Sequence, residues 1–303
     1  MKSFSKTLWR LAPVMLLIAG CGPFKLSNRF SAVETVLKNY SVSGKQQIIA
    51  DTFNGSIDIL TGPSDKVDVK VTKRTGGPSQ AEADDDLDNI EVAFEQVDNK
   101  VTVHVRSINP KPFIERGAAV EIQVPEGSTL ELHSTNGKIN ATGILGDITA
   151  RSSNGGIQTQ STQGNLDLQT TNGSVKVEGG VGKVIAKSSN GSIDIATDKA
   201  VVDVQSSNGR IAYRGKLIAG DHKLNTNNSS VTVRLPDDAG FKLEARTSNG
   251  RISNEFSGEG DSSTTGKKKK QSKSQLSGVF GKQPSSAVLD IHTSNGNIEI
   301  KRQ

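Results

Sequence analysis

The segment TNGKINATGILGDITARSSNGGIQTQ, residues 135–160, contains two Asn-Gly pairs whose asparagines, Asn136 and Asn154, lie 18 residues apart. Each pair follows a Ser or Thr and is closely followed by Ile. The pair returns at the same interval at Asn172, Asn190 and Asn208, with further copies at Asn54, Asn249 and Asn295 and a weaker relative at Asn227-Asn228. A fixed period of this size is typical of a repeat architecture.

Alignment of the copies gives two apolar columns in each repeat. The first column contains Ile139, Ile157, Val175, Ile193 and Ile211, and the second contains Ile148, Leu166, Val184 and Val202. In most copies a second apolar residue follows two positions later, which indicates short strands with one buried face. The pattern predicts an all-β fold, a single-stranded parallel β-solenoid (β-helix) with about 18 residues per coil and two short strands per coil.

The Asn-Gly pairs are predicted to form the same tight corner in every coil. Glycine accepts positive φ without steric cost, and stacked asparagines can form a hydrogen-bonded ladder. Small hydroxyl side chains precede the pairs and should point inward at the corner: Ser134, Ser152, Thr170, Ser188, Ser206, Thr247 and Thr293. A meander of β-hairpins is the alternative interpretation of Asn-Gly, but it gives no reason for identical columns.

The N-terminus has the pattern of a targeting segment. Basic residues in positions 1–10 precede the apolar run LAPVMLLIAG, which is too short for a comfortable membrane span. The sequence LIAGC, ending at Cys21, resembles a bacterial lipobox, and Cys21 is the only cysteine. The resemblance implies a signal peptide over residues 1–20 and a lipid-modified (palmitate-bearing) Cys21 that anchors the protein to a membrane. A plain signal peptide with an unrelated cysteine is the alternative.

The residue after Cys21 bears on localisation. Gly22 stands where Asp usually retains a Gram-negative lipoprotein at the inner membrane, so the pattern resembles that of an outer-membrane lipoprotein. Removal of the three basic residues Lys2, Lys6 and Arg10 would reduce the formal net charge from +5 to +2. The basic character therefore gives no support for a nucleic-acid partner.

Three regions follow the predicted signal. Residues 21–45 have little periodicity and are predicted to be a tether. The solenoid domain is predicted over 46–301, with a flexible lysine-rich insertion over 257–286. Ser79, followed by Glu82, predicts the start of a short helix before the regular repeats.

A family resemblance rests on the stretch from Pro125 to Ile139, PEGSTLELHSTNGKI, together with the repeated SSNG units and the lipobox-like N-terminus. These motifs resemble those of the bacterial toast-rack (DUF4097) family of β-solenoids, over roughly residues 46–301. The resemblance implies the solenoid fold and a suggested adhesive role. It supplies no catalytic residues, and the lysine-rich insertion departs from the family pattern.

The sequence gives little indication of a chemical centre. His104, His133, His222 and His292 have no metal-ligand spacing and are expected on the solvated surface. The acidic residues form no marked pair, and the Asp-containing turn of calcium-binding β-rolls is missing. We therefore expect no catalytic residues, no metal and no cofactor.

Two polar features are candidate contact sites. One exposed column contains only hydrogen-bond donors, which could meet an anionic glycan or an envelope protein: Arg151, Gln169, Lys187, Gln205 and Asn225. The second is the lysine run Lys267, Lys268, Lys269 and Lys270, which could contact an anionic membrane surface. Ordinary solvation of a flat sheet and of a loop is the alternative for both.

These features favour a lipid-anchored cell-envelope β-solenoid that acts as a non-catalytic interaction or adhesion module. One alternative is an envelope-stress scaffold or sensor accessory. Another is a polysaccharide-acting enzyme, which would need clustered carboxylates or a basic catalytic residue in a long groove.

Overall fold

The computed structural model describes residues 30–110, 114–258, 274–281 and 286–303. In chain order the elements are β1 (Phe30–Ser41), β2 (Gln47–Thr52), β3 (Ile57–Thr61), β4 (Lys66–Gly77), α1 (Gln80–Asp86), a 3-10 turn (Leu87–Asn89), β5 (Ile90–Val97), β6 (Lys100–Ser107), β7 (Glu115–Val124), β8 (Thr129–Ser134), β9 (Ile139–Thr142), β10 (Ile148–Ser152), β11 (Ile157–Gln160), β12 (Leu166–Thr170), β13 (Val175–Glu178), β14 (Val181–Ser188), β15 (Ile193–Ala196), β16 (Lys199–Ser206), β17 (Ile211–Arg214), β18 (Gly220–Thr226), β19 (Val231–Leu235), β20 (Gly240–Thr247), β21 (Ile252–Asn254), β22 (Gln275–Gly281), β23 (Ala287–Thr293) and β24 (Ile298–Arg302). They form two 12-stranded sheets, which we call sheet A, from β1 to β21, and sheet B, from β22 to β5.

The middle of the molecule is a regular stack of parallel coils, each made of one sheet B strand and the sheet A strand that follows it. The first apolar column forms one file, in which Ile139 lies beside Ile157, Ile157 beside Val175 and Val175 beside Ile193. The second column forms a matching file in sheet B. All of these side chains are buried. Since neighbouring strands of the stack are parallel, the solenoid prediction is confirmed and the hairpin meander is wrong.

The two ends of the molecule do not follow chain order. The coil β2–β3 lies between β6–β7 and β8–β9, and the C-terminal coil β23–β24 lies between β18–β19 and β20–β21. Antiparallel strands then close the sheets: β1 and β4 beyond β7, β5 beyond β6, and β22 beyond β20. We call β8 to β19 the regular stack, β1 to β7 with α1 the N-terminal end, and β20 to β24 the C-terminal end.

The N-terminal end corrects the predicted tether. Residues 30–41 form β1, which pairs with β4 along its full length, so the tether prediction is wrong for this part of 21–45. The strand lacks clear apolar alternation because Glu34 and Lys38 share the strand face of the buried Tyr40. Glu34 pairs there with Lys73, with Nζ 3.0 Å from Oε2. The predicted helix is confirmed as α1, and Ser79 Oγ accepts from the Glu82 amide.

A buried ion pair fixes the N-terminal end. Arg116 Nη2 donates to Asp86 Oδ1 at 2.6 Å, and Arg116 Nε donates to Asp86 Oδ2. The remaining guanidinium donors bind Ser107 Oγ and the carbonyl groups of Ile108 and Asn109. The pair therefore joins α1, β7 and the chain after β6 at one point.

Aromatic side chains fix the C-terminal end. Phe241 packs edge-on against Phe256, with ring centroids 5.4 Å apart, and lies 6.2 Å from Phe280. The Arg302 guanidinium lies over the Phe256 ring. Phe280 belongs to β22, so residues 275–281 are an ordered edge strand and the prediction of a flexible insertion is wrong for them. Residues 259–273 and 282–285 of that insertion lie outside the described residues.

Candidate functional site

The corner of each coil is held by a small hydroxyl side chain. In the coil of β12, Thr170 Oγ1 accepts from the Gly173 amide at 3.2 Å and donates to the Gly155 carbonyl of the preceding coil at 2.9 Å. The other predicted inward hydroxyls donate in the same way to the backbone of a neighbouring coil, at Ser134, Ser152, Ser188, Ser206, Thr247 and Thr293. The predicted inward direction is confirmed, and each hydroxyl links two coils.

The glycine of each corner is required by close packing. None of the corner glycines from Gly137 to Gly209 has positive φ, so the prediction based on φ is wrong. A Cβ at Gly191 would lie 1.8 Å from the Gly173 carbonyl oxygen, and one at Gly155 would lie 1.8 Å from that of Gly137. Because such distances are far below van der Waals contact, only glycine allows successive corners to stack at strand spacing.

The asparagines form the predicted ladder along one edge of the stack. Asn154 Nδ2 donates to Asn136 Oδ1 at 2.6 Å, and Asn172 donates to Asn154 at 2.7 Å. The series continues without a break through Asn190, Asn208, Asn228, Asn295 and Asn249. Asn54 is outside the ladder, because its Nδ2 donates to the Arg116 carbonyl.

The predicted donor column is brought together on the outer face of sheet B. Its members are direct neighbours on successive strands, in the order Arg151, Gln169, Lys187, Gln205 and Asn225, and we call them the donor file. A shelf of short polar residues runs beside it: Thr171, Ser189, Ser207 and Asn227. The file and the shelf line an open groove of about 620 Å³. With strands about 4.8 Å apart, the donor file extends over about 19 Å.

Two carboxylates already bind part of the donor file. Asp167 accepts from Gln169 Nε2 at 2.8 Å and from Arg151 Nη2 at 3.4 Å. Asp203 accepts from Gln205 Nε2 at 3.1 Å. Within the described part of the chain, the side chain of Lys187 makes no hydrogen bond or ion pair. Among the described residues, Lys187 is therefore a cation without a partner in the centre of the groove.

The same file continues beyond the predicted members. His133 lies beside Arg151, and Asp51 and His104 follow on the next two strands. At the other end Asn225 lies beside His292, which lies beside Arg246. His133 stands 18 residues before Arg151 and follows the same periodicity, whereas Asp51, His104, His292 and Arg246 could not be aligned because their coils are out of chain order. Over this length the file contains mostly cationic or neutral donors and a single carboxylate, that of Asp51.

Three of the four histidines are partly or fully exposed, as expected, and His222 is not. His222 is buried in sheet B opposite Leu289, where its Nε2 donates to the Ile218 carbonyl at 2.8 Å, so the prediction of a surface position is wrong. Burial lowers the pKa of His222, against the opposing effects of the Ile218 hydrogen bond and of Asp221. His222 lies two residues before the buried Leu224, on the same face of β18, so the strand alternation itself indicates burial, and the surface prediction did not apply it at this position.

A second groove, of about 600 Å³, lies on the outer face of sheet A at the N-terminal end. Its carboxylates have partners: Asp58 accepts from Asn140, Asp68 pairs with Lys66, and Glu121 pairs with Lys70. The hydrogen bond from Lys66 lowers the pKa of Asp68, which is the opposite of what a general acid requires.

Three further predictions concern the lipid anchor, the lysine run and the absence of a metal site. Cys21 and Lys267–Lys270 lie outside the described residues. Within the described ranges, no three His, Cys, Asp or Glu side chains are placed to hold a metal ion together. In those same ranges no helix has the length and apolarity needed to cross a bilayer.

Comparison with solved structures gives matches over most of the chain at low sequence identity. A proposed adhesin from Bacteroides fragilis NCTC 9343 is 14% identical, with 89% of this chain and 97% of that chain covered and a TM-score of 0.43. A proposed adhesin from Parabacteroides distasonis ATCC 8503 is 10% identical, with 88% and 97% covered and a TM-score of 0.41. A proposed lipid-binding protein from the same organism is also 10% identical, with 89% and 96% covered and a TM-score of 0.40.

Comparison with curated proteins gives no match. Comparison with family models gives one that covers most of the solenoid: the model described as Toastrack DUF4097 matches residues 52–301. The matched range begins at the end of β2 and ends in β24, so it includes the regular stack, the C-terminal end and most of the N-terminal end. The chain therefore belongs to the Toastrack DUF4097 family.

Proposed function

We propose that the protein is a lipid-anchored cell-envelope module, most simply of a Gram-negative outer membrane, that binds a partner without catalysis through the outer face of sheet B. The observation that carries the proposal is the donor file with its shelf, a straight polar groove held at fixed spacing by the stacked strands. Such a surface suits adhesion to an extended partner, because the corner bonds and the buried files hold the contact groups in position.

The anchor is tested by fractionation of the full chain. Wild type should remain with membranes after a high-salt wash, whereas Cys21→Ala should be released, because the lipid bond is lost while the charges are unchanged. The variant with Lys267–Lys270 replaced by Gln is the matched control and should stay with the membrane. Retention of Cys21→Ala at high salt would overturn the lipid anchor.

The binding face is tested by site-specific photocrosslinking in cells. A photoreactive residue at Gln169 lies in the groove, and the same residue at Gln158 lies on the outer face of sheet A in the preceding coil. We expect an adduct from position 169 and none from 158, as either a discrete band or a polymer smear. Equal adducts from both positions, or none from either, would contradict a binding role for sheet B.

The enzyme alternative has less support. No carboxylate of the described residues lines the groove of the donor file, and the three that line the second groove, Asp58, Asp68 and Glu121, accept a hydrogen bond or pair with lysine. Glycoside hydrolysis by the usual route needs two carboxyl groups placed on either side of the bond that breaks. A scaffold for envelope-stress sensing would use the same face, and a discrete protein adduct at position 169 would favour it.

A further inference from the structure

Charge alternates along the donor file with a period of two coils. Arg151 and Lys187 lie on coils in which the outward residue two places earlier is uncharged, Thr149 and Ile185. On the intervening coils the file contains the neutral Gln169 and Gln205, and the residue two places earlier is acidic. In the donor file, the cations Arg151 and Lys187 therefore line the groove on every second strand. On the strands that follow them, the carboxylates of Asp167 and Asp203 border the file on the side away from the shelf.

The spacing of these charges follows from the sheet. Neighbouring strands are about 4.8 Å apart, so Arg151 and Lys187 are separated by about 9.6 Å along the stack. Asp167 lies on the strand between them, and Asp203 lies on the strand beyond Lys187. A linear ligand along the groove would find favourable sites for anions at every second strand and repulsion at the strands between.

The neutral members of the file suit a hydroxyl-bearing ligand. Gln169 and Gln205 each use Nε2 to bind an aspartate of their own strand, which leaves the amide oxygen as an acceptor. The shelf offers hydroxyl groups at Thr171, Ser189 and Ser207 on the other side of the groove. A ligand polymer in which a charged unit alternates with a hydroxyl-rich neutral unit would match both the cations and the glutamine amides of the file.

The cations are available for a ligand. Lys187 is exposed, and its ammonium group makes no contact with a carboxylate of the described residues. Arg151 pairs with Asp167 at 3.4 Å, but the two side chains are 45% and 34% exposed, so the pair contributes little and can be exchanged for another anion. Among the described residues no aromatic side chain lines the groove, so recognition there depends on charge and hydrogen bonds.

We propose that this groove binds an extended polysaccharide with a carboxylate on every second sugar, lying along the stack with its carboxylates at Arg151 and Lys187. One sugar unit would span about one strand spacing, about 4.8 Å. The proposal rests on the proposed function, in which sheet B is the binding face. It excludes a polymer with a charge on every sugar, because alternate carboxylates would lie on the strands where the file is neutral and is bordered by Asp167 and Asp203.

The test is affinity electrophoresis of the full chain, purified in detergent, through gels that contain one of three polymers. Hyaluronan has a carboxylate on alternate sugars, alginate has one on every sugar, and dextran is neutral. All proteins have Lys267–Lys270 replaced by Gln, because that lysine run could attract any polyanion. We expect retardation by hyaluronan, weaker retardation by alginate and none by dextran, with the hyaluronan effect falling as salt rises.

Two matched variants then locate the site. Lys187→Gln should weaken hyaluronan binding about tenfold, as expected for loss of one charged hydrogen bond. Lys176→Gln makes the same change of charge on the outer face of sheet A and should bind like the parent. Asp167→Asn should strengthen alginate binding more than hyaluronan binding, because it removes the repulsion between the cations.

Alginate binding as tight as hyaluronan binding, or equal losses for Lys187→Gln and Lys176→Gln, would overturn the proposal. So would the absence of binding to hyaluronan by a protein with unchanged melting behaviour. A discrete protein adduct from position 169 combined with no polymer binding would leave the interaction module standing and remove only the glycan. Both lysines are exposed, so neither variant should alter folding.

Discussion

The regular stack and the two ends of this molecule are stabilised in different ways. In the stack, each coil repeats the same buried files, corner hydroxyl and ladder asparagine as its neighbours. At the ends, single interactions are added to what remains of the repetition: the Asp86–Arg116 pair at one end and the Phe241, Phe256 and Phe280 cluster at the other. A terminal coil has no neighbour on one side. Each end therefore needs other groups to cover its apolar side chains and to pair the backbone groups of its strand edges, as the next coil would have done.

The largest expected effect is at the N-terminal end. Asp86→Ala leaves the buried Arg116 guanidinium without its carboxylate and should lower the free energy of unfolding by about 3–5 kcal/mol. Urea unfolding followed by circular dichroism measures the loss. Hydrogen exchange should locate it in β1, β4 and β7, with β12 and β13 still protected.

The control is the double variant Asp86→Leu with Arg116→Met, which replaces the pair by apolar groups and should recover most of the stability. Loss of protection spread evenly over all coils of Asp86→Ala would show that the ends and the stack do not differ in the way described.

The next effect is inside the regular stack, at two adjacent glycines. A Cβ at Gly155 would lie 1.8 Å from a backbone oxygen, whereas one at Gly156 would lie 3.1 Å from the nearest atom. Gly155→Ala should therefore destabilise by about 2–4 kcal/mol and Gly156→Ala by less than about 1 kcal/mol, as judged by urea unfolding. Similar losses at both positions would mean that backbone freedom, and not contact between coils, selects glycine at the corner.

Prediction from the sequence succeeded where the chain repeats and failed where it does not. Ile139, Ile157 and Val175 share one file because every coil of the stack uses the same length of chain, which a single sequence displays directly. The insertion of β23–β24 between earlier coils leaves no periodic trace, because its register is set by contacts between distant segments. β1 was missed for a related reason, since an end strand can place Glu34 and Lys38 on its inner side.

The candidate site was predictable only where its coils are consecutive in the chain, from His133 to Asn225. Arg151, Gln169, Lys187, Gln205 and Asn225 were identified because their coils are consecutive. The addition of His292 and Arg246 to the same file depends on the order of coils in space. The alternation with Asp167 and Asp203 was present in the sequence, but its meaning depends on which columns lie side by side on the outer face of sheet B.

A smaller effect is expected at the asparagine ladder, which crosses from the stack into the C-terminal end. Asn172→Ala removes two amide hydrogen bonds on an exposed edge and should cost about 1 kcal/mol, measured as a shift in the urea midpoint. Asn165→Ala is not a suitable control, because the Asn165 side chain accepts from the Lys183 amide. Thr171→Ala, on the exposed shelf beside the ladder, should have no measurable effect, and a loss equal to that of Asn172→Ala would deny the ladder a stabilising role.

The smallest effect is expected where the stack changes to its 20-residue coil, and it depends on pH. Burial lowers the pKa of His222, so as the pH falls below about 6.5 the unfolded chain binds a proton that the folded protein does not. Stability should therefore fall from pH 7.5 to pH 5.5, and His222→Gln, which keeps a donor for the Ile218 carbonyl, should show a smaller fall. His292→Gln, at an exposed position of the same sheet, is the control and should keep the wild-type pH dependence. If His222→Gln kept the wild-type pH dependence, the imidazole of the folded protein would take up its proton in acid without loss of the fold. The boundary coil would then be less tightly closed than its neighbours in the stack.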